Sequence, residues 1–196
     1  MVVTGICATL GIGALGALGC SSNTTTADQT TKAEEAATVE QSEELSDYTI
    51  ADLGVKYVVP KGYTLTNYES NIDTGKGPVV AFKATGGDDD SITLTVKAVS
   101  NIDVADNDFM DEQKDVALKA FEEQGIKVDD TASGKTDMNE EVELPVYVFT
   151  TTQGGKTVYV EEVFAPSPNN DALLTFTATS SNRANLDVMV QGITFL

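Results

Sequence analysis

Residues 91–99, SITLTVKAV, alternate strictly between apolar and polar side chains. The period of two is that of a β-strand, in which successive side chains point to opposite faces of a sheet. The apolar members are Ile92, Leu94, Val96 and Ala98. The polar members between them are Thr93, Thr95 and Lys97. The stretch therefore predicts a strand with one face toward a core and one polar face.

Similar patterns lie on both sides of this strand. Before it, the sequence predicts strands in GPVVAFKAT (77–85) and in VKYVV (55–59), the latter ended by Pro60, which has no N–H to donate to a ladder. After it, a weak strand is predicted over 131–138, and stronger ones in LPVYVFTTT, KTVYVEEVFAP and ALLTFTATS. Glycine- or asparagine-rich turns separate the last three, as short antiparallel connections require.

Two segments have a helical period instead. The first, FMDEQKDVALKAFEEQG (109–125), follows two possible caps, Asp106 and Asp108, and ends at Gly125. Its predicted buried stripe is Phe109, Met110, Val116, Ala117, Ala120 and Phe121. The second is predicted to begin near Ser181 or Asn182 and to end at Gly192. Its apolar positions are Leu186, Met189, Val190 and Ile193.

Runs of strands with one helix between them and one at the end indicate an α+β fold. We therefore expect an antiparallel β-sheet packed with helices, in a single domain over residues 48–196. No repeat at fixed spacing is visible.

The order of elements resembles the PsbP-like superfamily. The resemblance is carried by VKYVVPKGY (55–63), by the helix at 108–125, and by the closing helix that leads into GITFL (192–196). It implies a PsbP-like α/β/α sandwich. Because members of that superfamily do unrelated things, the resemblance implies a fold and transfers no site.

Residues 1–19, MVVTGICATLGIGALGALG, are uncharged and are followed by Cys20. The segment resembles a bacterial lipoprotein signal peptide, with Leu18 and Gly19 before the lipidated cysteine. A transmembrane helix is the weaker interpretation, because five of the 19 residues are glycine. The other alternative is that Cys7 and Cys20 form a disulfide or are idle thiols.

Residues 20–47 are predicted to be the lipidated cysteine and a disordered acidic tether, since the segment has few large apolar side chains. Two or more acyl chains would hold such a protein stably on a membrane. The threonine-rich tether resembles those of Gram-positive lipoproteins. We therefore expect a lipid-anchored protein on the extracytoplasmic face of the cell membrane.

The composition excludes several functions. The chain has 31 acidic residues against 12 basic ones, a net charge of −19, which repels nucleic acid. It has no histidine and no cysteine beyond Cys20, so Ser-His-Asp and Cys-His catalysis and His or Cys metal sites in the domain are excluded. No catalytic residue and no cofactor is predicted.

The candidate site residues are carboxylates that could bind a divalent cation such as calcium: Asp88, Asp89, Asp90, Asp106 and Asp108. The alternative is a solvated hairpin tip at 88–90 and a helix start at 106–108. Neither cluster fits an EF-hand loop, because the sixth position counted from Asp106 is Asp111 rather than glycine.

Other motifs are weaker. SGKT (133–136) and GGKT (154–157) lack the first glycine of a phosphate-binding loop and are interpreted as hairpin turns. The carboxylate pairs Glu140–Glu141 and Glu161–Glu162 could indicate a glycosidase. The two residues of each pair are neighbours on a strand and so point to opposite faces of the sheet, and neither pair converges on one bond. The tyrosines that could line a groove or close the edges of a sheet core are Tyr57, Tyr63, Tyr68, Tyr147 and Tyr159. Arg183, the only arginine, could clamp a carboxylate or simply be solvated.

From these observations we expect a non-catalytic interaction or accessory protein of the cell envelope, monomeric, using an exposed sheet face or an acidic surface to meet a protein partner. The alternative is a binder of a small ligand or divalent cation. A hydrolase that depends on carboxylates and a metal is the third hypothesis.

Overall fold

The structure is a computed structural model. It describes residues 37–38, 46–67, 77–87, 89–99, 102–138, 142–169 and 171–196. The predicted signal peptide, Cys20 and the cation-site candidate Asp88 lie outside these residues.

The described chain is built mostly from antiparallel strands. In chain order they are β1 (Ala37–Thr38), β2 (Ser46–Ile50), β3 (Val55–Val59), β4 (Thr64–Asn67), β5 (Val79–Thr85), β6 (Ser91–Ala98), β7 (Val128–Met138), β8 (Val142–Gln153), β9 (Lys156–Pro166), β10 (Ala172–Ser180) and β11 (Ile193–Phe195). Eight strands form one sheet in the order β1-β4-β5-β6-β10-β9-β8-β7. The other three form a small sheet in the order β11-β3-β2.

Two α-helices accompany the sheets within the described residues. Helix α1 (Asn107–Glu123) is capped by Asp106, whose carboxylate accepts a hydrogen bond from the Asp108 N–H at 3.0 Å. Helix α2 (Arg183–Gln191) is capped in the same way by Asn182. Gly125, after α1, has the left-handed φ of 69° that the sequence predicts. Both predicted helices and their caps are confirmed.

The main core lies between the large sheet, the small sheet and α2. Its aromatic centre is Phe82 of β5, which stacks on Tyr57 of β3 with 5.0 Å between ring centroids. Helix α2 contributes Leu186, Met189 and Val190 to the same core, all buried. The alternating apolar positions that the sequence predicts for β6 also face this core, since Ile92, Leu94 and Val96 are all fully buried.

A second, smaller core lies between α1 and the opposite face of the large sheet. Phe121 of α1 packs against Phe149 of β8, with 5.3 Å between ring centroids. Met110 and Ala117 of α1 belong to the same cluster. Of the predicted helical stripe, Met110, Ala117, Ala120 and Phe121 are buried, and Phe109 and Val116 are half-buried.

The expected fold class, an antiparallel sheet packed with helices in an α/β/α sandwich, is wrong. The described chain is dominated by strands in two antiparallel sheets, and a sheet instead of a helical layer covers much of one face of the large sheet. The error has a local cause: β2 and β11 are short. β2 begins inside the predicted tether, and β11 contains Ile193, which the sequence pattern assigned to the second helix.

The boundary of the predicted tether also differs. Ala37 and Thr38 pair with Asn67 and Thr66 as an edge strand, and β2 begins at Ser46. The sequence predicts that these positions are disordered, as part of 20–47, and that prediction is wrong for them. No helix in the described part of the chain is long and apolar enough to cross a membrane.

Candidate functional site

One surface of α1 carries a concentration of carboxylates. Asp108, Asp111, Glu112 and Asp115 are all exposed and are three or four residues apart, which places them on one side of the helix. Together with Val116 and Lys119 they line an open depression of about 450 Å³. We call the four carboxylates the acidic face of α1.

The acidic face is electrostatically unfavourable for the helix itself. Carboxylates three or four residues apart repel each other by about 0.2–0.5 kcal/mol per pair. Lys119, which lies in the same depression, has Glu123 within 3.9 Å, on the far side from the four carboxylates. Only Asp108, in the first turn, gains from the positive end of the helix dipole. The charges therefore contribute little to folding and leave a strongly negative surface.

The negative field of α1 reaches the sheet beneath it. Burial raises the pKa of Tyr147 on β8, and the carboxylates of Asp111 and Asp115 raise it further. Tyr147 is only 5% exposed and belongs to the core under α1. The acidic face is thus held by a packed helix and does not depend on a loop for its position.

On the face of the large sheet that packs against α1, strands β6 and β10 carry hydroxyl side chains. The paired positions are Ser91 with Thr179, Thr93 with Thr177, and Thr95 with Thr175. All six side chains are half-buried. No hydrogen bond to any of these hydroxyls is found within the described residues. We call these six residues the hydroxyl ladder.

Two buried carboxylates lie on β9, one on each face of the large sheet. Glu161 and Glu162 are each 8% exposed. Burial raises the pKa of Glu162 to about 7. Burial also raises the pKa of Glu161 to about 7, with Asp187 raising it further and Arg183 opposing the rise. The two side chains do not converge, as the sequence predicts for adjacent strand residues.

Asp90, one of the cation-site candidates, points inward. Its Oδ2 accepts hydrogen bonds from the Tyr63 hydroxyl at 3.0 Å and from Asn185 Nδ2 at 2.7 Å. Its Oδ1 is buried without a partner among the described residues. The backbone of Gly86 lies against the Tyr63 ring so closely that a Cβ would be 2.6 Å from it. Asp90 therefore ties the β5–β6 turn to Tyr63 and to α2.

The other described cation-site candidates, Asp89, Asp106 and Asp108, each have a different position in the structure. Asp89 is exposed in the turn with a left-handed φ of 73°. Asp106 is the cap of α1, and Asp108 is on the acidic face. In the described ranges, no three acidic side chains are grouped so that they could hold a metal ion. Asp106 and Asp108 thus form a helix start, as the alternative interpretation predicts, whereas the buried Asp90 does not belong to a solvated hairpin tip.

The two glycine-lysine motifs differ in the structure. GGKT forms the turn between β8 and β9, where Gly154 and Gly155 have φ of 56° and 80°. This prediction is confirmed. SGKT was expected to be a turn, but residues 133–136 lie inside the exposed strand β7, with Lys135 opposite Pro145. The prediction of a turn there is wrong, because β8 is long enough to pair with residues 133–136 throughout.

The tyrosines serve packing. Tyr57 and Tyr147 are buried, and Tyr63 and Tyr159 pack partly buried against the main core. Tyr68, Glu140 and Glu141 lie outside the described residues. Arg183 is exposed at the start of α2. The sequence patterns do not predict the burial of Glu162 or its position beside the hydroxyl ladder. Its only sequence signal is a glutamate where the pattern of Val160 and Phe164 calls for an apolar residue.

A comparison with protein-family models finds no match for this chain, and a search of curated proteins finds no significant match either.

Proposed function

We propose that this chain is a lipid-anchored extracytoplasmic protein that acts by binding, and that the acidic face of α1 docks onto a basic surface of an envelope protein. The observation that carries the proposal is the set of four exposed carboxylates on one side of a well-packed helix. Their mutual repulsion disfavours the isolated helix. A partner with lysines or arginines would relieve that repulsion.

The charge of the whole chain supports a basic partner. A net charge of −19 creates a field that speeds the approach of positively charged surfaces and slows that of negative ones. Such an interaction weakens as salt is added, because exposed charges are screened over about 8 Å at physiological ionic strength. Salt dependence is therefore a direct readout of this mode of binding.

The test uses crosslinking of the full chain in intact cells. The variant D111N/E112Q/D115N removes three charges from the acidic face without changing side-chain size. The matched control, D52N/D130N/E143Q, removes three charges from exposed residues on other elements. We expect the α1 variant to lose the crosslinked partner and the control to keep it.

Two results would contradict the proposal. One is a partner retained equally by both variants, and the other is binding that does not weaken with salt. The anchor is tested separately with Cys20→Ser, which should release the chain from the membrane fraction. If the membrane fraction is unchanged, the predicted lipid attachment is wrong.

A further inference from the structure

A row of polar side chains crosses five adjacent strands of the large sheet on the α1 side. The strand registers place these residues next to one another in turn: Lys83 on β5, Thr93 on β6, Thr177 on β10, Glu162 on β9 and Tyr147 on β8. The Cβ atoms of neighbouring members of such a row are about 4.5–5.5 Å apart. We call these five residues the polar row. The other two pairs of the hydroxyl ladder, Ser91–Thr179 and Thr95–Thr175, lie on either side of the polar row.

Glu162 is the unusual member of this row. The residue is only 8% exposed. Its shifted pKa has burial as the sole cause, with no hydrogen bond or charge compensating for it. Burying a carboxylate without a partner is costly, and such groups are normally paired. The described chain supplies no hydrogen-bond donor to the Glu162 carboxylate, and its oxygens are not among the fully buried atoms without a partner, so a donor can reach them from outside.

The hydroxyls beside Glu162 are also without partners in the described chain. Thr177 is its direct neighbour on β10, and Thr93 follows on β6. Each threonine hydroxyl can donate one hydrogen bond and accept two, whereas an ionised carboxylate only accepts. The row therefore offers one strong acceptor followed by two groups that can both donate and accept.

We propose that the polar row is a binding site for a neutral, hydroxyl-rich ligand, a sugar chain. Adjacent hydroxyls of one sugar ring would donate to the two oxygens of Glu162. Hydroxyls further along the sugar chain would exchange hydrogen bonds with Thr177 and Thr93. Sugar hydroxyls suit this row because each of them, like a threonine hydroxyl, is both a donor and an acceptor.

The charge of the protein narrows the class of sugar. With a net charge of −19, and with Asp111 and Asp115 close enough to Tyr147 to raise its pKa, the site repels anions. A glycan bearing carboxylates, sulfates or phosphates is therefore disfavoured. The charge therefore limits the ligand class to an oligosaccharide without acidic groups.

The test is calorimetric titration of the full chain with two neutral probes, cellohexaose and the hexamer of N-acetylglucosamine, and one acidic probe, hexagalacturonate. We expect at least one neutral probe to bind and the acidic probe not to bind. Glu162→Gln should weaken binding about tenfold, and Thr177→Val about three- to tenfold, as expected for one lost hydrogen bond. Thr157→Val, an exposed position on the same strand β9, is the matched control and should bind normally.

Unfolding cannot account for a loss of binding in Glu162→Gln, because removing an unpaired buried charge should stabilise the fold. The site is also separable from the acidic face of α1. The D111N/E112Q/D115N variant should keep its affinity for the neutral sugar, and that affinity should be insensitive to salt. Failure of both neutral probes to bind, or equal affinity in Glu162→Gln and the unchanged chain, would overturn the proposal.

Discussion

The two faces of the large sheet are used differently by the same strands. On the face toward the small sheet and α2, the side chains form one continuous apolar core that includes Phe82, Leu94, Val163 and Phe176. On the face toward α1, the apolar cluster under the helix stops at β10, and the hydroxyl ladder continues from there. We call these the closed face and the open face.

The contrast is sharpest on β9, where successive residues face opposite layers. Val163 and Ala165 lie in the closed-face core, whereas Glu162 lies on the open face beside Thr177. A carboxylate lies where an apolar residue would pack better. The difference suggests that the closed face serves stability and that part of the open face serves binding. Substitutions at Phe82, Glu162 and Asp90 test that division.

Truncating an aromatic side chain on the closed face should have the largest effect on stability. Phe82 is fully buried, stacks on Tyr57 and meets Tyr48 edge-on at 5.8 Å between centroids. Phe82→Ala should lower the free energy of unfolding by about 3–5 kcal/mol, from lost burial and the cavity left behind. Urea denaturation measures the change.

The open-face control for this prediction is Thr93→Val, which keeps the shape of a half-buried side chain and should shift stability by no more than about 0.5 kcal/mol. Comparable losses in the two variants would mean that the faces do not differ as described.

Removing the charge of Glu162 should stabilise the protein in a pH-dependent way. The pKa of Glu162 is raised from 4.5 to about 7 in the folded state, so the folded state binds the proton more tightly than the unfolded state. Its contribution to stability is therefore present below about pH 4.5 and is lost as the pH rises to about 7. Glu162→Gln should raise the free energy of unfolding by on the order of 3 kcal/mol above pH 7.

The same variant should have little advantage at pH 4, where Glu162 is protonated in both states. The groups identified near Glu162 are Tyr147 beside it and Thr177 opposite it, and neither titrates in this range. Denaturation curves across pH 4 to 8 separate this site from the other carboxylates of the chain. A stability gain independent of pH would show that Glu162 is not desolvated.

Breaking the Asp90 network should have the smallest of the three effects. Asp90→Ala leaves the Tyr63 hydroxyl and Asn185 Nδ2 without their acceptor, and should cost about 1–3 kcal/mol. Asp90→Asn keeps an acceptor oxygen and should cost less. Thermal unfolding measures both variants, and adding calcium should not raise the melting temperature of either the variants or the unchanged chain.

A melting temperature raised by calcium in the unchanged chain and not in Asp90→Asn would restore the cation-site hypothesis. In that case the buried Oδ1 of Asp90 would be a ligand and the interpretation as a structural tie would be wrong.

The individual elements could be predicted well because their signals are local. The alternation in 91–99 matches β6, and the cap at Asp106 and the stop at Gly125 match α1. The architecture was missed because β2 and β11 are five and three residues long, which is too short for a period to be read. Those two strands pair with β3 and turn it from a member of the main sheet into the centre of a second one.

The candidate site residues differ in the same way in how far the sequence predicts them. The carboxylates of α1 could be placed on one side of a helix from their spacing alone. The inward turn of Asp90 could not be predicted, because its partners Tyr63 and Asn185 are 27 and 95 residues away. The same holds for the polar row, which brings together residues from five strands.

The sequence alone therefore determined the strands and helices with long periodic patterns, the negative charge, and the absence of histidine and of cysteine in the domain, because each is a property of neighbouring residues or of composition. The tertiary structure alone decided which layer covers each face of the sheet and which polar groups are buried together. Those outcomes depend on contacts between residues distant in the chain, and on the strand registers that place Glu162 beside Thr177.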